Sequence, residues 1–225
     1  MKVLVTRAEE DCAPLEELLR ARGFEPVRLP CIAIEELAFE LPHDPDFVVV
    51  ASPHAARRLR GDFPRARFAA VGSATAAALG RADVLVPAAG AGADALLEML
   101  APLVRGKTVL LPRAEEGNPA LPAQLEAAGA RVIAVALYRT VAATRADPAV
   151  LALLRAGAID AVAFASGSAA HGFVALAGAA AAPRVACMGR VCAEEAQRAG
   201  LRVDAVADGG LAALCDAVAA ALSDR

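Results

Sequence analysis

The sequence repeats one segment plan near its start and again near its middle, and this internal repeat limits the fold more than any other feature. Residues 2–30 and 107–137 each contain a lysine and a short apolar run, an arginine, leucines at helical spacing, a glycine and a second apolar run. Such a strand–helix–strand segment, here segment a, places its two strands parallel. With one inserted residue, the matching positions are Lys2 and Lys107, Arg7 and Arg113, and Gly23 and Gly129.

A longer segment, segment b, follows each copy of segment a, at residues 47–103 and 161–222. Its first apolar run ends in alanine and serine, its second ends in glycine, and a third precedes a final helical stretch. We interpret segment b as three strands alternating with three helices. The order a, b, a, b with apolar strands predicts parallel sheets that are covered by helices on both faces.

The repeat predicts an α/β fold with two flavodoxin-like, doubly wound parallel-sheet domains, because one segment a and one segment b together supply five strands. Two pairings remain open at this point. Each segment a could join the segment b that follows it, or the partners could be exchanged. In either arrangement, residues 31–46 and 139–158 are interpreted as linkers.

Composition and charge argue against several classes of protein. The net charge is −3 with a pI near 5.7, and no basic block is present, which argues against nucleic-acid binding. Residues 1–7 are interpreted as a strand rather than a signal peptide. The uncharged stretch 161–183 contains too many small residues for a good membrane span. Five cysteines without C-x-x-C spacing favour reduced thiols in the cytoplasm over disulfides or zinc ligands.

The residues that several kinds of catalysis need are missing. Lys2 and Lys107 are the two lysines, and each begins a strand, which disfavours a Schiff-base enzyme or a Walker phosphate loop. The three histidines are scattered without cysteine or acidic neighbours at ligand spacing, so no metal site is predicted. No G-x-S-x-G motif is present. The glycine-rich residues 90–94 lack the dinucleotide fingerprint and are interpreted as a loop with Asp94 as a helix N-cap.

Small hydroxyl residues and glycines follow several predicted strands. In doubly wound sheets these positions lie at the carboxyl ends of the strands, where ligands bind and helix N-termini offer N–H groups to anions. One such loop alone could simply cap a helix. Four similar loops, two in each predicted domain, favour a shared anionic ligand. The candidate substrate-binding residues in them are Ser52, Pro53, Gly72, Ala74, Thr75, Ser166, Gly167, Ser168 and Gly189.

Arginines end the first strand of each segment a, at the same predicted edge. A guanidinium group at Arg7 or Arg113 could bind a carboxylate with two parallel hydrogen bonds, and we add both residues to the substrate-binding set. The alternative is a surface ion pair with the nearby Glu9 or Glu115. Arg139 has the same two interpretations.

Tyr138 is the candidate catalytic residue. It is the single tyrosine of the chain and directly follows the apolar run 132–137, between the second segment a and the second segment b. A buried tyrosine commonly satisfies its hydroxyl within a core. Here the strand leads from one predicted domain towards the other, so the phenol could face a cleft and donate a proton to a departing hydroxyl group.

An ordered set of short segments gives the chain a resemblance to a known family. The segments are Val3–Arg7, Phe47–Pro53, Val71–Ala76, Leu137–Thr140 and Phe164–Ser166. Together, and in this order, they resemble the uroporphyrinogen-III synthase family along nearly the full length. The resemblance implies the exchanged pairing, with residues 1–35 and 141–225 in a discontinuous domain 1 and residues 36–140 in an inserted domain 2 that includes the linker strands.

The resemblance also implies a function. It implies a cyclising hydro-lyase, without cofactor or metal, that converts hydroxymethylbilane to uroporphyrinogen III in haem and porphyrin biosynthesis. The reaction loses water and inverts the last pyrrole ring through a spiro intermediate. Tyr138 matches the favoured proton donor, and backbone amides of the cleft loops would hold the acetate and propionate groups. The expected protein is a cytoplasmic monomer that acts on this small molecule and binds neither nucleic acid nor membrane.

The chain departs from the family at three positions. Ala51 and Cys192 stand where the family often has threonine, and Asn118 stands where a basic residue is common. Thr75 is then the one member of the paired glycine-loop threonines that is retained. No substrate contact is therefore assigned to Cys192 or Asn118.

Two other classes of function fit part of the sequence. A non-catalytic two-domain binding protein for a carboxylate-rich small molecule would use the same repeat and loops, but Tyr138 would then need no acidity. A nucleotide-dependent transferase lacks its phosphate loop and its lysine. The type of uroporphyrinogen formed from hydroxymethylbilane separates all three.

Overall fold

The computed structural model of the protein describes residues 1–61, 63–86 and 99–223. The strands of these residues form two sheets, one of five strands and one of six. The chain divides into two compact units, Met1–Ile34 with Thr140–Arg225, and Glu35–Arg139. We call them unit 1 and unit 2.

Unit 1 contains a sheet of five parallel strands: β1 (Lys2–Val5), β2 (Glu25–Arg28), β9 (Ala161–Phe164), β10 (Arg184–Met188) and β11 (Ala205–Ala207). Their order is β11-β10-β9-β1-β2, which is the 2-1-3-4-5 order of flavodoxin-like folds when strands are counted along the unit. Because β1 pairs with β9, the first segment a shares a sheet with the last segment b. This strand order confirms the exchanged pairing.

The sheet of unit 2 contains β3 (Ile32–Glu36), β4 (Phe47–Val50), β5 (Arg67–Val71), β6 (Val84–Val86), β7 (Thr108–Ala114) and β8 (Arg131–Ala142). The order is β3-β8-β7-β4-β5-β6. In space, strands β8-β7-β4-β5-β6 match strands β2-β1-β9-β10-β11 of unit 1, with the two strands of segment a followed by the three of segment b. Along the chain, segment a comes first in unit 1, whereas segment b comes first in unit 2. Strands β3 and β8 also carry the chain from one unit to the other.

Helices connect the parallel strands. The helices are α1 (Cys12–Ala21), α2 (Pro53–Arg58), α3 (Ser73–Leu79), α4 (99–104), α5 (Ala120–Ala127), α6 (Pro148–Arg155), α7 (Gly167–Ala177), α8 (Gly189–Arg198) and α9 (Leu211–Ser223). Short 3-10 turns precede α1 at Glu9–Asp11 and follow α7 at Ala179–Ala181.

The core of unit 1 lies on both faces of its sheet. Successive side chains of a strand point to opposite faces. Leu4 of β1 packs in one cluster with Leu154 and Phe173, whereas Val3 packs in another with Leu15. The sheet is therefore doubly wound, as the apolar strands predicted.

The core of unit 2 joins β4 and β7 to two helices. Phe47 and Leu111 pack with Leu100 of α4 and Leu125 of α5. All four side chains are buried.

The two copies of segment a end their helices with the same geometry. Gly23 follows α1 with a φ of +79°, and Gly129 follows α5 with a φ of +91°. The N–H of Gly23 donates to the carbonyl of Arg20 at 3.0 Å, and the N–H of Gly129 donates to that of Glu126 at 2.8 Å. A left-handed residue of this kind ends a helix and favours glycine. The matching glycines of the two copies of segment a therefore both lie at the end of a helix.

Aspartates precede several strands and close the amino ends of both sheets. Each accepts a hydrogen bond from the backbone N–H at or near the start of a neighbouring strand. Such N–H groups would otherwise lack a partner at a sheet edge. The four pairs are Asp160 with Lys2 and Asp204 with Val185 in unit 1, and Asp46 with Thr108 and Asp83 with Phe68 in unit 2.

The interpretation of residues 31–46 and 139–158 as linkers holds for the strands that carry the chain between the units and is wrong for α6, which belongs to unit 1. The first range contains β3, and the second contains the end of β8 and the whole of α6. Asp147 caps α6 by accepting from Ala149 N at 2.8 Å, and Pro148 occupies its first turn. These are standard signals for a helix start. The alanine content of this stretch had obscured them.

Two further expectations concern particular stretches. Residues 161–183 form β9, α7 and a 3-10 turn, and none of the helices in the described ranges is long and apolar enough to cross a membrane. The glycine-rich loop 90–94, with Asp94 as its N-cap, lies outside the described residues.

Candidate active site

The candidate site of unit 2 is built at one edge of its sheet. Because β4, β5 and β7 are parallel, their carboxyl ends lie at the same edge. Ser52 follows β4, Gly72 follows β5, and Arg113 is the last residue but one of β7. The side chains that follow these strands are therefore close to one another, as doubly wound sheets require.

Ser52 is the N-cap of α2. Its hydroxyl oxygen accepts a hydrogen bond from the N–H of His54 at 3.1 Å. The equivalent serine in unit 1, Ser166, caps α7 in the same way by accepting from Ala169 N at 3.3 Å. The capping interpretation is thus correct for both serines, and it leaves their second lone pair able to take another partner.

Tyr138 lies in β8 at an irregularity in its pairing with β7. Arg113 pairs with Ala136, but the next residue, Ala114, pairs with Tyr138. Two residues of β8 therefore oppose one of β7, which is a β-bulge, and a bulge redirects the following side chains. Leu137 and Tyr138 are both buried as a result, with Tyr138 only 6% exposed.

The phenol of Tyr138 contacts the first loop. Its oxygen lies 2.8 Å from the hydroxyl oxygen of Ser52, at hydrogen-bond distance. The Ser52 oxygen accepts from His54 N with one lone pair and keeps a second lone pair and its own O–H. Either hydroxyl can therefore donate in the Ser52–Tyr138 pair. The candidate catalytic residue therefore contacts a second candidate residue, Ser52. The expectation that its phenol faces a cleft stays a prediction, and its burial also agrees with the alternative of a hydroxyl satisfied within a core.

Tyr138 also borders a small pocket of about 220 Å³ within unit 2. The pocket combines apolar walls with a few polar groups, which is the usual composition of small-molecule sites. Its lining includes Ser52, Leu111, Pro112, Arg113, Asn118 and Tyr138. The structure thus brings together three of the predicted residues of this unit: Ser52, Arg113 and Tyr138.

The two predicted arginines make local contacts that the sequence did not indicate. The Nε of Arg113 donates to the carbonyl of Ala114 at 3.2 Å, and its Nη2 donates to the carbonyl of Gly117. Arg7 pairs with Asp11 at 3.6 Å. The alternative partners, Glu9 and Glu115, were therefore wrong for both arginines, and a carboxylate ligand at Arg113 would have to compete with loop carbonyls.

Arg139 follows the ion-pair interpretation. Its Nε and Nη2 donate to one oxygen of Glu35, at 3.0 and 2.9 Å, and both side chains are about half exposed. Glu35 holds the pKa of the Arg139 guanidinium above its usual value through these hydrogen bonds.

Two residues beside Tyr138 were not predicted. The ring of His54 lies 5.5 Å from the ring of Tyr138, and the guanidinium carbon of Arg58 lies 5.6 Å from its centroid. His54 and Arg58 are four residues apart on α2, which places them on one face of the helix. That spacing was the available signal in the sequence.

The glycine loops of the two units share one backbone conformation. Gly72 precedes α3 with a φ of +82°, and Gly189 begins α8 with a φ of +79°. In the first turn that follows, Thr75 and its equivalent Cys192 are both buried, at 2% and 4% exposure. The thiol of Cys192 donates to the carbonyl of Phe164 at 3.5 Å, so this position is occupied by an internal contact.

The remaining candidate residues lie at helix starts. Pro53 is in the first turn of α2, Ala74 is exposed in α3, and Gly167 and Ser168 begin α7. Gly167 packs closely against Glu195 of α8, because a Cβ added to Gly167 would lie 2.5 Å from the Cβ of Glu195. None of these residues lines the pocket beside Tyr138, and their binding roles stay predictions.

The cysteines are poorly suited to nucleophilic chemistry. All five are free and buried. Burial raises the pKa of Cys12 to about 11 and that of Cys31 to about 12. A hydrogen bond with Cys192, together with burial, raises the pKa of Cys187. The thiolate is the reactive form, and burial disfavours it at Cys12, Cys31 and Cys215. At Cys192 the hydrogen bond with Cys187 instead lowers the pKa of the thiol, but this thiol is buried and donates to the carbonyl of Phe164. Among the described residues, no group of three His, Cys, Asp or Glu side chains could hold a metal ion.

The fold and the site together define a class of protein: two doubly wound α/β units joined by two strands, with a phenol and a serine hydroxyl at a small strand-end pocket of the second unit. Comparison with known proteins supplies the family. The family model for uroporphyrinogen-III synthase HemD matches residues 13–210, and the chain belongs to this family.

Individual relatives give the same grouping. A protein of Archaeoglobus fulgidus, provisionally named uroporphyrinogen-III synthase, is 34% identical over 136 residues, which are 60% of this chain. The match spans 59% of the length of that relative.

Solved structures agree in fold. A uroporphyrinogen-III synthetase from Helicobacter pylori matches 100% of this chain and 99% of its own, with a TM-score of 0.63 and 18% identity. A mutant uroporphyrinogen III synthase from the extremely thermophilic bacterium Thermus thermophilus matches 100% of both chains, with a TM-score of 0.53 and 19% identity. At these identities the likeness concerns the fold alone.

Proposed function

We propose that the protein is a uroporphyrinogen-III synthase, which cyclises hydroxymethylbilane to uroporphyrinogen III with loss of water and inversion of the last pyrrole ring. Membership of the family supports this function. The observation that carries it is the phenol of Tyr138, which borders a largely apolar pocket and lies 2.8 Å from the Ser52 hydroxyl. A binding protein that does no chemistry would not need this arrangement.

In the proposed reaction, Tyr138 acts as the general acid. Its O–H donates a proton to the hydroxymethyl oxygen of the substrate, the C–O bond breaks, and water leaves. The pyrrole nitrogen supplies electrons, and the products are water, the phenolate of Tyr138 and an azafulvenium ion, which is the N-protonated azafulvene. The hydroxymethyl pyrrole ionises readily, so the protein need only assist the departure of the hydroxyl group and direct the folding of the linear tetrapyrrole.

Ser52 would hold the phenol in place for this step. With its oxygen between the Tyr138 hydroxyl and the N–H of His54, Ser52 fixes the position of the phenol, and when the Ser52 hydroxyl donates to the phenol oxygen, the O–H of Tyr138 stays available to the substrate. The pocket, at about 220 Å³, is smaller than the roughly 300–1,000 Å³ of sites that enclose a drug-sized ligand. We therefore infer that it receives one pyrrole ring of the substrate and not the whole chain.

The other strand-end residues would hold the carboxylate groups of the substrate. In this proposal, backbone N–H groups and hydroxyls of the loops around Gly72, Ser166 and Gly189 bind acetate and propionate groups, since helix starts favour anions. Arg7 follows β1 of unit 1 and Arg113 lies near the end of β7 of unit 2, and each would add a positive charge at its own strand end. The local contacts of Arg113 would then open when a carboxylate binds.

We also propose a domain assignment, a compartment and an oligomeric state. Units 1 and 2 would be the two folding domains. The two compact units meet at 34/35 and 139/140, one residue from the boundaries at 35/36 and 140/141 that the resemblance implies. Five free cysteines support a reducing compartment such as the cytoplasm. A monomer is proposed as the resemblance to the family implies.

The function is tested directly by product analysis. Purified protein is incubated with hydroxymethylbilane made enzymatically, and the type I and type III products are separated. Predominant formation of type III is expected, at a rate that rises in proportion to protein concentration. Formation of type I alone, at the spontaneous rate, would refute the function and favour a binding protein.

A further inference from the structure

Residues along α2, from its N-cap Ser52 to its last residue Arg58, contact Tyr138. Ser52 contacts its hydroxyl at 2.8 Å, the His54 ring lies 5.5 Å from its ring at a tilt of 51°, and the Arg58 guanidinium lies 5.6 Å from its centroid. A cation within about 6 Å of a tyrosine face is attracted by the ring electrons. One short helix therefore makes contact with the oxygen and with the ring of the same phenol.

Arg58 is fixed in this position by two further contacts. Its Nε lies 3.5 Å from a carboxylate oxygen of Glu36 in β3, and its Nη1 lies 3.2 Å from Nδ1 of His54. A guanidinium group can only donate, so Nδ1 of His54 accepts and the proton of the neutral ring is on Nε2. The Arg58 side chain is 11% exposed, which is low for an arginine and leaves little water to screen its charge.

A shielded cation beside a phenol changes the balance between phenol and phenolate. An opposite charge within about 4–6 Å favours the charged form of an acid. Within the described ranges, charged groups around this ring include Arg113, which borders the same pocket and donates to loop carbonyls, and Glu36, which partly offsets Arg58 and is 67% exposed. Arg57 contacts Nδ1 of His54 at 3.4 Å. The more buried of the two partners in the Glu36–Arg58 pair is thus the cation.

We propose that Arg58 is a positioning residue for the general acid: it orients the ring of Tyr138 and favours release of its proton. This rests on the proposed function for the fate of that proton. The proton passes to the departing hydroxyl oxygen and leaves in water, while the electron pair of the O–H bond stays on the phenolate. The proton that the last pyrrole ring loses from its free α-carbon on ring closure restores the phenol, so no further reactant is needed.

The composition of the chain makes this measurable without any assay of activity. The sequence contains one tyrosine and no tryptophan, so the ultraviolet absorbance of phenolate reports Tyr138 alone. The full-length protein is titrated to alkaline pH while far-ultraviolet circular dichroism monitors its fold. The variants are Arg58→Met, which removes the cation at similar length, and Glu36→Gln, which removes the exposed anion that faces it. Arg57→Met is the matched control, because Arg57 is the exposed neighbour of the same charge.

Each outcome supports or overturns the proposal. The phenolate midpoint is expected to rise by about one pH unit or more in Arg58→Met, to fall in Glu36→Gln, and to stay near the wild-type value in Arg57→Met. Equal midpoints in the wild type and Arg58→Met, or an equal rise in Arg57→Met, would overturn it. So would a wild-type phenol that ionises only when the protein unfolds. If Arg58→Met does not fold, the direction of the Glu36→Gln shift decides.

Activity measurements separate this proposal from the proposed function. Arg58→Met should lower kcat by up to about tenfold with little change in KM, because a weaker acid transfers its proton less readily while substrate contacts remain. If Tyr138→Phe is fully active, the proposed function of Tyr138 fails, yet the titration still tests the contact. If Tyr138→Phe is inactive and the midpoint is unchanged in Arg58→Met, only the role of Arg58 fails.

Discussion

The hydroxyl oxygens of Ser52 and Tyr138 lie 2.8 Å apart, although the two residues are 86 positions apart in the sequence. The contact exists because β4 and β8 belong to one sheet and because the bulge opposite Ala114 turns Tyr138 towards the end of β4. The acid proposed for the reaction is therefore positioned by a helix cap, and the following predictions examine both residues.

Replacing the phenol by phenyl should remove the proposed acid and little else. In Tyr138→Phe, the rate of uroporphyrinogen III formation should fall by about 10²–10⁴-fold, the usual contribution of a general acid. The loss of one hydrogen bond should cost only about 1 kcal/mol of stability. Product analysis and urea unfolding measure the two effects. Turnover close to that of the wild type would rule out Tyr138 as the acid.

Ser52→Ala and Ser166→Ala form a matched pair, because both serines are N-caps in equivalent places. Each variant should lose about 1 kcal/mol of unfolding free energy through its lost cap. Only Ser52→Ala also loses the contact with Tyr138, so only it should change the near-ultraviolet circular dichroism in the tyrosine region. A change of equal size in Ser166→Ala would show that the spectrum does not report the hydrogen bond.

Gly172→Ala should destabilise the protein although it lies within a helix, where alanine is normally preferred. A Cβ on Gly172 would come within 2.0 Å of the carbonyl oxygen of Cys31, so α7 would have to move. Overpacking of this kind costs about 1–3 kcal/mol or more. Gly210→Ala is the control, since its Cβ would meet nothing within 4 Å. Equal urea midpoints for the two variants would contradict the close approach.

Glu16 should make the stability of the protein depend on acid pH. Hydrogen bonds from Arg28 hold the pKa of the buried Glu16 carboxyl below its usual value, against the opposing effect of burial. A lowered pKa in the folded state gives stability that is present above the unfolded pKa of about 4.3 and is lost as the pH falls through the folded pKa.

The substitution Glu16→Gln should remove this contribution. The difference in unfolding free energy from the wild type should be largest at neutral pH and should shrink as the pH falls below about 4.3. Urea unfolding at a series of pH values measures it. Glu17→Gln, at the exposed neighbour, is the control and should behave like the wild type. A pH-independent effect of Glu16→Gln would show that shape and not charge is responsible.

Unit 2 should fold when it is produced alone. Residues 35–139 are contiguous and contain the whole of β4 to β7, most of β8 and a core cluster of their own. A fragment of these residues should show cooperative urea unfolding, whereas residues 1–34 should be unfolded because β1 and β2 lack β9. A fragment 35–139 without a cooperative transition would argue against the domain assignment.

The repeat made much of the fold predictable from the sequence. Matching glycines at 23 and 129 correctly marked the ends of two helices, and the alternation of apolar runs with helices indicated two doubly wound sheets. The residues alone did not decide between the two possible pairings. Both give the same strand composition and differ only in long-range contacts, which local patterns do not encode.

Less of the candidate site could be predicted. Tyr138, Ser52 and Arg113 were found because they stand at strand ends. The bulge that aims Tyr138 lies between Arg113 and Ala114 of β7, soon after Pro112, but this proline does not indicate which residue of β8 is displaced. The partners of Arg113 are backbone carbonyls, which no sequence pattern identifies. The role of Arg58 depends on its burial, and an arginine on a short helix normally suggests a solvent-exposed side chain.

The pairing of β1 with β9 has a consequence for synthesis on the ribosome. Lys2 and Asp160, which close one end of that pair, are 158 positions apart, so β1 and β2 emerge early and must wait for most of the chain before their sheet can form. The inserted unit can be completed during that interval. We expect nascent chains that are stalled shortly after α6 has emerged to protect residues 35–139 from protease while the amino-terminal strands are still cleaved.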